Sequence, residues 1–162
     1  MKDLKKKLLN YDIIIFDLDD TIYSQKDYDN PALYHVSKFL EKKIKVDRNV
    51  IFNKLRKLKK IRRGLAPKPV FDSFLKNYDF IKKQKIISSC ISLFQKYECK
   101  ELKNSKSLKI FLKSIYKKKK LFIVTNGPKV RQENKIKYLE IKKFFKKIFI
   151  LDGVKKEIKP SI

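Results

Sequence analysis

Three acidic residues follow a short apolar run near the start of the chain, in the segment DLDDT at positions 17–21. Where an apolar strand ends the chain can curl, so that the carboxylates of Asp17 and Asp19 converge on one point. Clustered carboxylates repel one another unless a divalent cation neutralises them, and their hard oxygen atoms favour Mg²⁺. A plain polar turn, with Asp20 or Thr21 capping a helix, is the alternative. The apolar strand directly before the carboxylates favours the functional interpretation.

The elements that must position these carboxylates are three short apolar runs, each of which ends in polar residues. The runs at 12–17, 121–125 and 148–151 predict strands buried on both faces of a parallel sheet. Apolar residues also recur at helical spacing before the second run and, behind a helix start at Pro128, after it. These residues are Leu108, Phe111, Leu112 and Ile115, then Val130, Ile136 and Leu139. The alternation predicts an α/β fold, a three-layer doubly wound parallel sheet of the Rossmann-like kind.

The long stretch between the first strand and the helix at 108 carries four apolar stripes at helical spacing and no strand pattern. The stripes are Leu33, Val36, Phe39 and Leu40; Val50, Ile51, Leu55 and Leu58; Val70, Phe71, Phe74, Leu75 and Tyr78; and Ile86, Ile87, Cys90, Ile91 and Phe94. So long a stretch is not a loop. We therefore expect residues 1–23 and 106–162 to form the core, and residues 24–105 to form an inserted α-helical cap.

Three motifs in this order resemble those of the haloacid dehalogenase superfamily of phosphohydrolases. Residues 13–23, IIIFDLDDTIY, resemble the first motif, and residues 121–127, LFIVTNG, resemble the second. Lys159-Pro160 resembles the third. The pattern Q-x-x-K-x-x-x-L of capped members matches Gln132, Lys135 and Leu139, with a later Phe at 145. The resemblance spans essentially the whole chain and implies a HAD-like fold with a helical cap.

The resemblance also implies roles for individual residues. Asp17 would attack the phosphoryl group and form an aspartyl-phosphate, while Asp19 would act as general acid and then general base. Thr125 would bind the transferring phosphoryl, with Asn126 and Gly127 shaping the turn, and Lys159 would offset the negative charge. Mg²⁺ would be held by Asp17 and by the backbone carbonyl of Asp19. An Asp at position 19 is similar to the phosphatase branch of the superfamily rather than to its dehalogenases.

Members of the superfamily continue past the Lys-Pro motif to a fourth strand whose acidic residues complete the Mg²⁺ site. Here the sequence ends at Ile162, so we expect a chain that is C-terminally truncated relative to the family, with the Asp17 strand at an edge of the sheet. The favoured function is a Mg²⁺-dependent phosphohydrolase of a small phosphomonoester. The alternative is a truncated, catalytically inactive HAD-like remnant or interaction module.

The net charge of +26 raises a second alternative, a basic nucleic-acid-binding protein. However, only five of the 43 basic residues are Arg, and the lysines are spread along the chain rather than clustered. Because Arg is the usual side chain that contacts phosphates and base edges, we expect no specific binding of nucleic acid. The partner implied by the resemblance is a small phosphorylated metabolite. No apolar run is long enough for a membrane span or a secretory leader. Two cysteines are too few for a disulfide scaffold, so we expect a cytoplasmic protein. The oligomeric state is left open.

Overall fold

The computed structural model describes residues 2–61, 67–78 and 82–152, which form seven α-helices and three β-strands. In chain order these are α1 (Lys2–Leu8), β1 (Ile13–Phe16), α2 (Lys26–Ile44), α3 (Arg48–Ile61), α4 (Pro67–Leu75), α5 (Lys83–Gln95), α6 (Lys106–Ile115), β2 (Lys120–Asn126), α7 (Lys129–Leu139) and β3 (Lys147–Leu151). Short 3₁₀ helices occupy Lys100–Asn104 and Lys142–Phe144.

The three strands form one parallel sheet in the order β1-β2-β3. Ile14 pairs with Leu121, and Val124 pairs with Phe149, so that the carboxyl ends of all three strands lie at the same edge. Parallel neighbours require crossover connections, which the helices between the strands supply. The predicted α/β class with a Rossmann-like parallel sheet is confirmed.

Burial of the sheet differs from the prediction that each strand is covered on both faces. In β1, Ile14 is 6% exposed, whereas Ile13 and Ile15 are 55% and 63% exposed. Successive side chains of a strand point to opposite faces, so one face of β1 packs in the core and the other meets solvent. Phe149 of β3 is also exposed, whereas Leu121 and Ile123 of β2 are fully buried. On the other face of β2, Phe122 and Val124 are half-buried, so only the central strand approaches the predicted burial on both faces.

The chain divides into two compact units, one made of Met1–Asp27 with Glu98–Ile162 and the other of Tyr28–Tyr97. The first unit contains the sheet. Its core includes the fully buried residues Leu18, Leu112, Ile115, Leu121, Ile123 and Leu139. The two segments of this unit meet where Cys99 Sγ donates a hydrogen bond to the carbonyl oxygen of Asp27, 3.2 Å away.

The second unit is helical over its described residues and contains α2 to α5. Its core residues occupy the predicted stripes, including Leu33, Val36, Leu40, Ile51, Leu55, Val70, Phe71, Cys90 and Phe94. Tyr28 donates a hydrogen bond to the carbonyl oxygen of Phe94 over 2.8 Å, which ties the start of α2 to α5. A nearly buried ion pair, with Lys59 Nζ 3.8 Å from Asp29 Oδ2, joins α2 to α3. No helix among the described residues has the length and apolar character to span a membrane.

Helix α2 is followed by a lysine in a left-handed conformation, which makes a test of helix termination possible. Lys45 has a φ of +53° and donates its backbone N–H to the carbonyl oxygen of Glu41 over 3.0 Å. Glycine adopts this conformation without a Cβ penalty. We expect Lys45→Gly to raise the free energy of unfolding by about 0.5–1 kcal/mol, measured by urea denaturation. Lys45→Ala removes the same charge but keeps the Cβ, and equal stability of the two variants would contradict this explanation.

Candidate active site

The turn that follows β1 gives the neighbouring carboxylates Asp19 and Asp20 different roles. Leu18 is fully buried and anchors the turn, and its carbonyl oxygen accepts a hydrogen bond from Ile22 N–H over 3.0 Å. Asp20 has a φ of +55°, is exposed, and accepts a hydrogen bond from Gln25 N–H over 2.9 Å. Asp20 therefore stabilises the turn before α2, as the polar-turn interpretation expects, whereas Asp19 points inward.

Asp19 is held by side chains that bond to both of its carboxylate oxygens. Lys135 Nζ lies 2.7 Å from Oδ1 and 2.9 Å from Oδ2. Tyr23 donates its hydroxyl to Oδ1, and Gln132 Nε2 donates to Oδ2 over 3.1 Å. The side chain of Lys135 is fully buried and that of Asp19 is 19% exposed. Partial burial strengthens this ion pair relative to one in water, because the effective dielectric constant is lower.

The pKa of Asp19 follows from two opposed effects. Burial raises the pKa of the carboxyl, because it disfavours the charged form. The charge of Lys135 lowers it, as do hydrogen bonds from Lys135, Tyr23 and Gln132, and together they outweigh burial. The pKa of Asp19 therefore lies below its ordinary value of 3.8, so the group is a carboxylate at neutral pH.

The end of β2 is connected to Asp19 through one amide group. Thr125 is 1% exposed, and its hydroxyl oxygen accepts a hydrogen bond from Gln132 Nε2 over 2.9 Å. The same nitrogen donates to the carbonyl oxygen of Asn126 over 2.6 Å. Gln132 is itself fully buried. A single side chain on α7 therefore links the ends of β1 and β2, which come from opposite parts of the sequence.

The turn between β2 and α7 depends on a glycine. Gly127 has a φ of +133°, and a Cβ there would lie 3.1 Å from Arg131 Nη2 and 3.3 Å from Gln132 Nε2. Its N–H donates to the carbonyl oxygen of Leu151 over 3.0 Å, which attaches the turn to β3. At the start of α7, Lys129 N–H donates to Asp152 Oδ2 over 3.2 Å. Asp152 thus caps this helix, a position where a carboxylate is stabilised by the helix dipole.

Helix α7 buries polar side chains, and this corrects the apolar stripe predicted for it. Val130 is 45% exposed and does not face the core, whereas Ile136 and Leu139 do. The buried side chains include Arg131, Gln132 and Lys135. Gln132 and Lys135 are three positions apart, which places them on the same face of the helix. The Gln-x-x-Lys spacing was the signal in the sequence, but it did not reveal that both residues contact Asp19, nor did it indicate Tyr23.

Most residues predicted for the site lie at the carboxyl edge of the sheet. Asp17 directly follows β1 and is half-buried, and Thr125 and Asn126 end β2. Gly127 forms the turn behind them. Lys159 lies outside the described residues, so its predicted role stays a prediction. The structure joins Asp19, Thr125 and the Asn126 carbonyl through Gln132.

The donor set at this edge is chemically suited to Mg²⁺. Within residues 2–61, 67–78 and 82–152, no three side chains of the His, Cys, Asp or Glu type cluster closely enough to hold a metal on their own. Mg²⁺ does not need such a cluster, because it keeps several water ligands and is often held by one or two carboxylates plus substrate phosphate. The hard oxygens predicted for Mg²⁺, those of the Asp17 carboxylate and the Asp19 backbone carbonyl, belong to the turn that directly follows β1.

Comparison with known proteins identifies relatives of this fold. The family model of haloacid dehalogenase-like hydrolases matches residues 14–162. A candidate phosphatase from Clostridium difficile is 22% identical with a TM-score of 0.56, and the match covers 91% of this chain and 64% of that one. The candidate HAD-hydrolase YfnB from Bacillus subtilis, solved with bound magnesium, is 19% identical with a TM-score of 0.55, covering 87% and 64%.

A 2-haloacid dehalogenase from Pseudomonas syringae is 16% identical with a TM-score of 0.50, and the match covers 85% of this chain and 63% of that one. At these identities the likeness shows the fold. This chain spans slightly less than two thirds of the length of each of these three proteins. No curated protein sequence matches the chain.

Proposed function

Because the chain belongs to the haloacid dehalogenase-like hydrolase family, we propose that it is a Mg²⁺-dependent phosphohydrolase of a small phosphomonoester. The observation that carries the proposal is the arrangement around Asp19. A carboxylate paired with buried Lys135 is linked through Gln132 to the hydroxyl of Thr125, and Asp17 directly follows β1, the strand beside that of Thr125. In this proposal Asp17 is the nucleophile, Asp19 the acid–base group and Thr125 the phosphoryl-binding hydroxyl.

The reaction proceeds by two displacements. In the first, a carboxylate oxygen of Asp17 attacks phosphorus and the bond from phosphorus to the substrate oxygen breaks. That oxygen takes a proton from Asp19, which has received it from the monoanionic form of the incoming ester. In the second, the Asp19 carboxylate takes a proton from a water molecule, whose oxygen attacks phosphorus and releases Asp17. Lys135 favours the ionised form of Asp19, which is the form required for the second displacement.

Charge must be compensated where an anionic nucleophile meets an anionic phosphate. Mg²⁺ held by Asp17 and the Asp19 carbonyl would supply part of this compensation when bound. The Thr125 hydroxyl would donate to a phosphoryl oxygen. Its oxygen accepts from Gln132 Nε2, and that bond does not use the hydroxyl proton. Lys159 would supply a further positive charge.

The helical insertion, residues 24–105 of the sequence, would act as a cap that closes over the substrate and excludes water. The proposed substrate is a small phosphorylated metabolite, because the Thr125 hydroxyl, the Mg²⁺ and Lys159 would together bind a phosphate group at the carboxyl edge. Both cysteines are free thiols, which supports a reducing, cytoplasmic environment.

Phosphate release from p-nitrophenyl phosphate tests the proposal. We expect the 162-residue chain to hydrolyse this ester with Mg²⁺, to lose activity when EDTA removes the metal, and to regain it when Mg²⁺ is restored. Turnover that EDTA leaves unchanged would contradict the metal dependence. A folded chain that releases no phosphate from this ester or from a panel of sugar phosphates and nucleotides would instead favour the inactive remnant.

A further inference from the structure

Two buried side chains on α7, Gln132 and Lys135, converge on Asp19 from the same face of the helix. The single ammonium group of Lys135 contacts both carboxylate oxygens, which prevents the carboxylate from turning about its own bond. Tyr23 donates to Oδ1 and Gln132 donates to Oδ2, so each carboxylate oxygen accepts from a second donor besides Lys135. The orientation of the Asp19 carboxylate is therefore fixed from three sides.

The burial of Lys135 and its position beside Tyr23 agree with a role in orienting Asp19. Its side chain is fully buried, and Nζ lies 5.8 Å from the centre of the Tyr23 ring, whose hydroxyl also reaches Asp19. Burying an ammonium group carries a large desolvation cost that is recovered only with good geometry and further hydrogen bonds. The carboxylate of Asp19 offsets part of the energetic cost of burying this lysine, and that carboxylate is the acid–base group of the proposed reaction.

We propose that Lys135 is a positioning residue, which holds the Asp19 carboxylate in the orientation needed for proton transfer to and from the reacting oxygens. This inference rests on the proposed function and adds a residue that acts through Asp19 rather than on the substrate. Because Gln132 ties Thr125 to the same carboxylate, α7 also sets the spacing between the acid–base group and the phosphoryl-binding hydroxyl. Misplacement of a catalytic group by about 1 Å can cost on the order of 10²-fold in rate.

The test compares five variants of the full chain with the wild type: Lys135→Met, Lys135→Arg, Asp19→Asn, the double variant Asp19→Asn with Lys135→Met, and Lys129→Met as control. Lys129 lies on the same helix, and its side chain is 71% exposed. The values of kcat and KM are measured with p-nitrophenyl phosphate and with β-glycerophosphate, whose alkoxide is the poorer leaving group. Inhibition by inorganic phosphate reports phosphate binding separately.

We expect Lys135→Met to lower kcat by roughly 10–10²-fold, and by more with β-glycerophosphate, because a poor leaving group depends more on a well-placed acid. The inhibition constant for phosphate should change by less than about 3-fold, since Lys135 does not bind phosphate in this proposal. Lys135→Arg should recover part of the activity, and Lys129→Met should match the wild type. In the Asp19→Asn background, removal of Lys135 should have little further effect, because residues that act as a unit are not additive.

Three outcomes would overturn the proposal. The first is that Lys135→Met behaves like Lys129→Met. The second is that the losses of kcat caused by Lys135→Met and by Asp19→Asn multiply in the double variant, and that Lys135→Met weakens inhibition by phosphate. This result would make Lys135 a phosphate-binding group. The third is an inactive wild type, which removes the proposed function as well and is thereby distinguished from the other two.

A lone carboxylate left by Lys135→Met could unfold the protein, because breaking a buried ion pair is strongly destabilising. The double variant avoids this charge, and circular dichroism checks that it folds. Its kcat relative to Asp19→Asn alone then decides the question, since equal values support positioning and a further fall contradicts it.

Discussion

The Asp17→Asn variant should release no phosphate from p-nitrophenyl phosphate above the rate of the buffer, a loss of roughly 10⁴-fold or more. An amide has no anionic oxygen with which to attack phosphorus, so the aspartyl-phosphate cannot form. The substitution also removes a carboxylate proposed to hold Mg²⁺, and both losses act in the same direction. The measurement is phosphate release at saturating substrate, with acid-quenched protein checked for covalently bound phosphate.

Asp12→Asn is the matched control for this experiment. It makes the same change just before β1, on a side chain that is 99% exposed and 3.5 Å from Lys119 Nζ. Asp12→Asn should keep wild-type activity, because exposed ion pairs contribute little to stability and Asp12 is at the opposite end of the strand. Phosphate release by a folded Asp17→Asn protein at more than about a tenth of the wild-type rate would exclude Asp17 as the nucleophile.

Asp19→Asn should lower kcat by roughly 10²–10⁴-fold, since it removes the general acid of the first displacement and the general base of the second. Loss of the base should also slow breakdown of the aspartyl-phosphate. Acid-quenched Asp19→Asn protein is therefore expected to carry more covalent phosphate per molecule than the wild type. The variant also leaves the buried Lys135 without its carboxylate, so its thermal midpoint should fall.

Asp20→Asn is the control for this second experiment. Asp20 is adjacent in sequence but exposed, and an Asn side-chain oxygen can still accept from Gln25 N–H at a positive φ. We expect Asp20→Asn to retain its activity. A large loss of activity with Asp20→Asn and none with Asp19→Asn would assign the acid–base role to Asp20 instead of Asp19.

The strands and the fold class were predictable because buried strands consist of short apolar runs that end abruptly in polar residues. The predicted strand at 121–125 corresponds to Lys120–Asn126, and that at 148–151 to Lys147–Leu151. The helices of the insertion were predictable for a related reason, since each buries an apolar stripe. The opening helix α1 was not predicted, because a seven-residue lysine-rich segment carries no such stripe and depends on its surroundings for stability.

The interior of the site could not be derived from hydrophobic patterning. Helix α7 buries Gln132 and Lys135 beside Ile136 and Leu139, so the predicted apolar stripe is right for Ile136 and Leu139 and wrong for Val130, which is exposed. One lysine among 38 carries no information until its partner is known. Asp19 and Lys135 are 116 positions apart in sequence, and only the parallel order of the strands brings them together.

The hydrogen bond from Cys99 to the carbonyl of Asp27 has a consequence for how the fold can change. The chain leaves the sheet-containing unit after Asp27 and returns at Glu98, so seventy intervening residues begin and end at nearly the same place. A segment that folds with its ends already together adds little loop-closure entropy to its host, unlike a flexible loop, whose closure cost grows with length. Another folded segment with adjacent termini could be grafted there while the sheet and its carboxyl edge stay intact. The sheet can therefore exchange one inserted segment for another without rebuilding its chemistry.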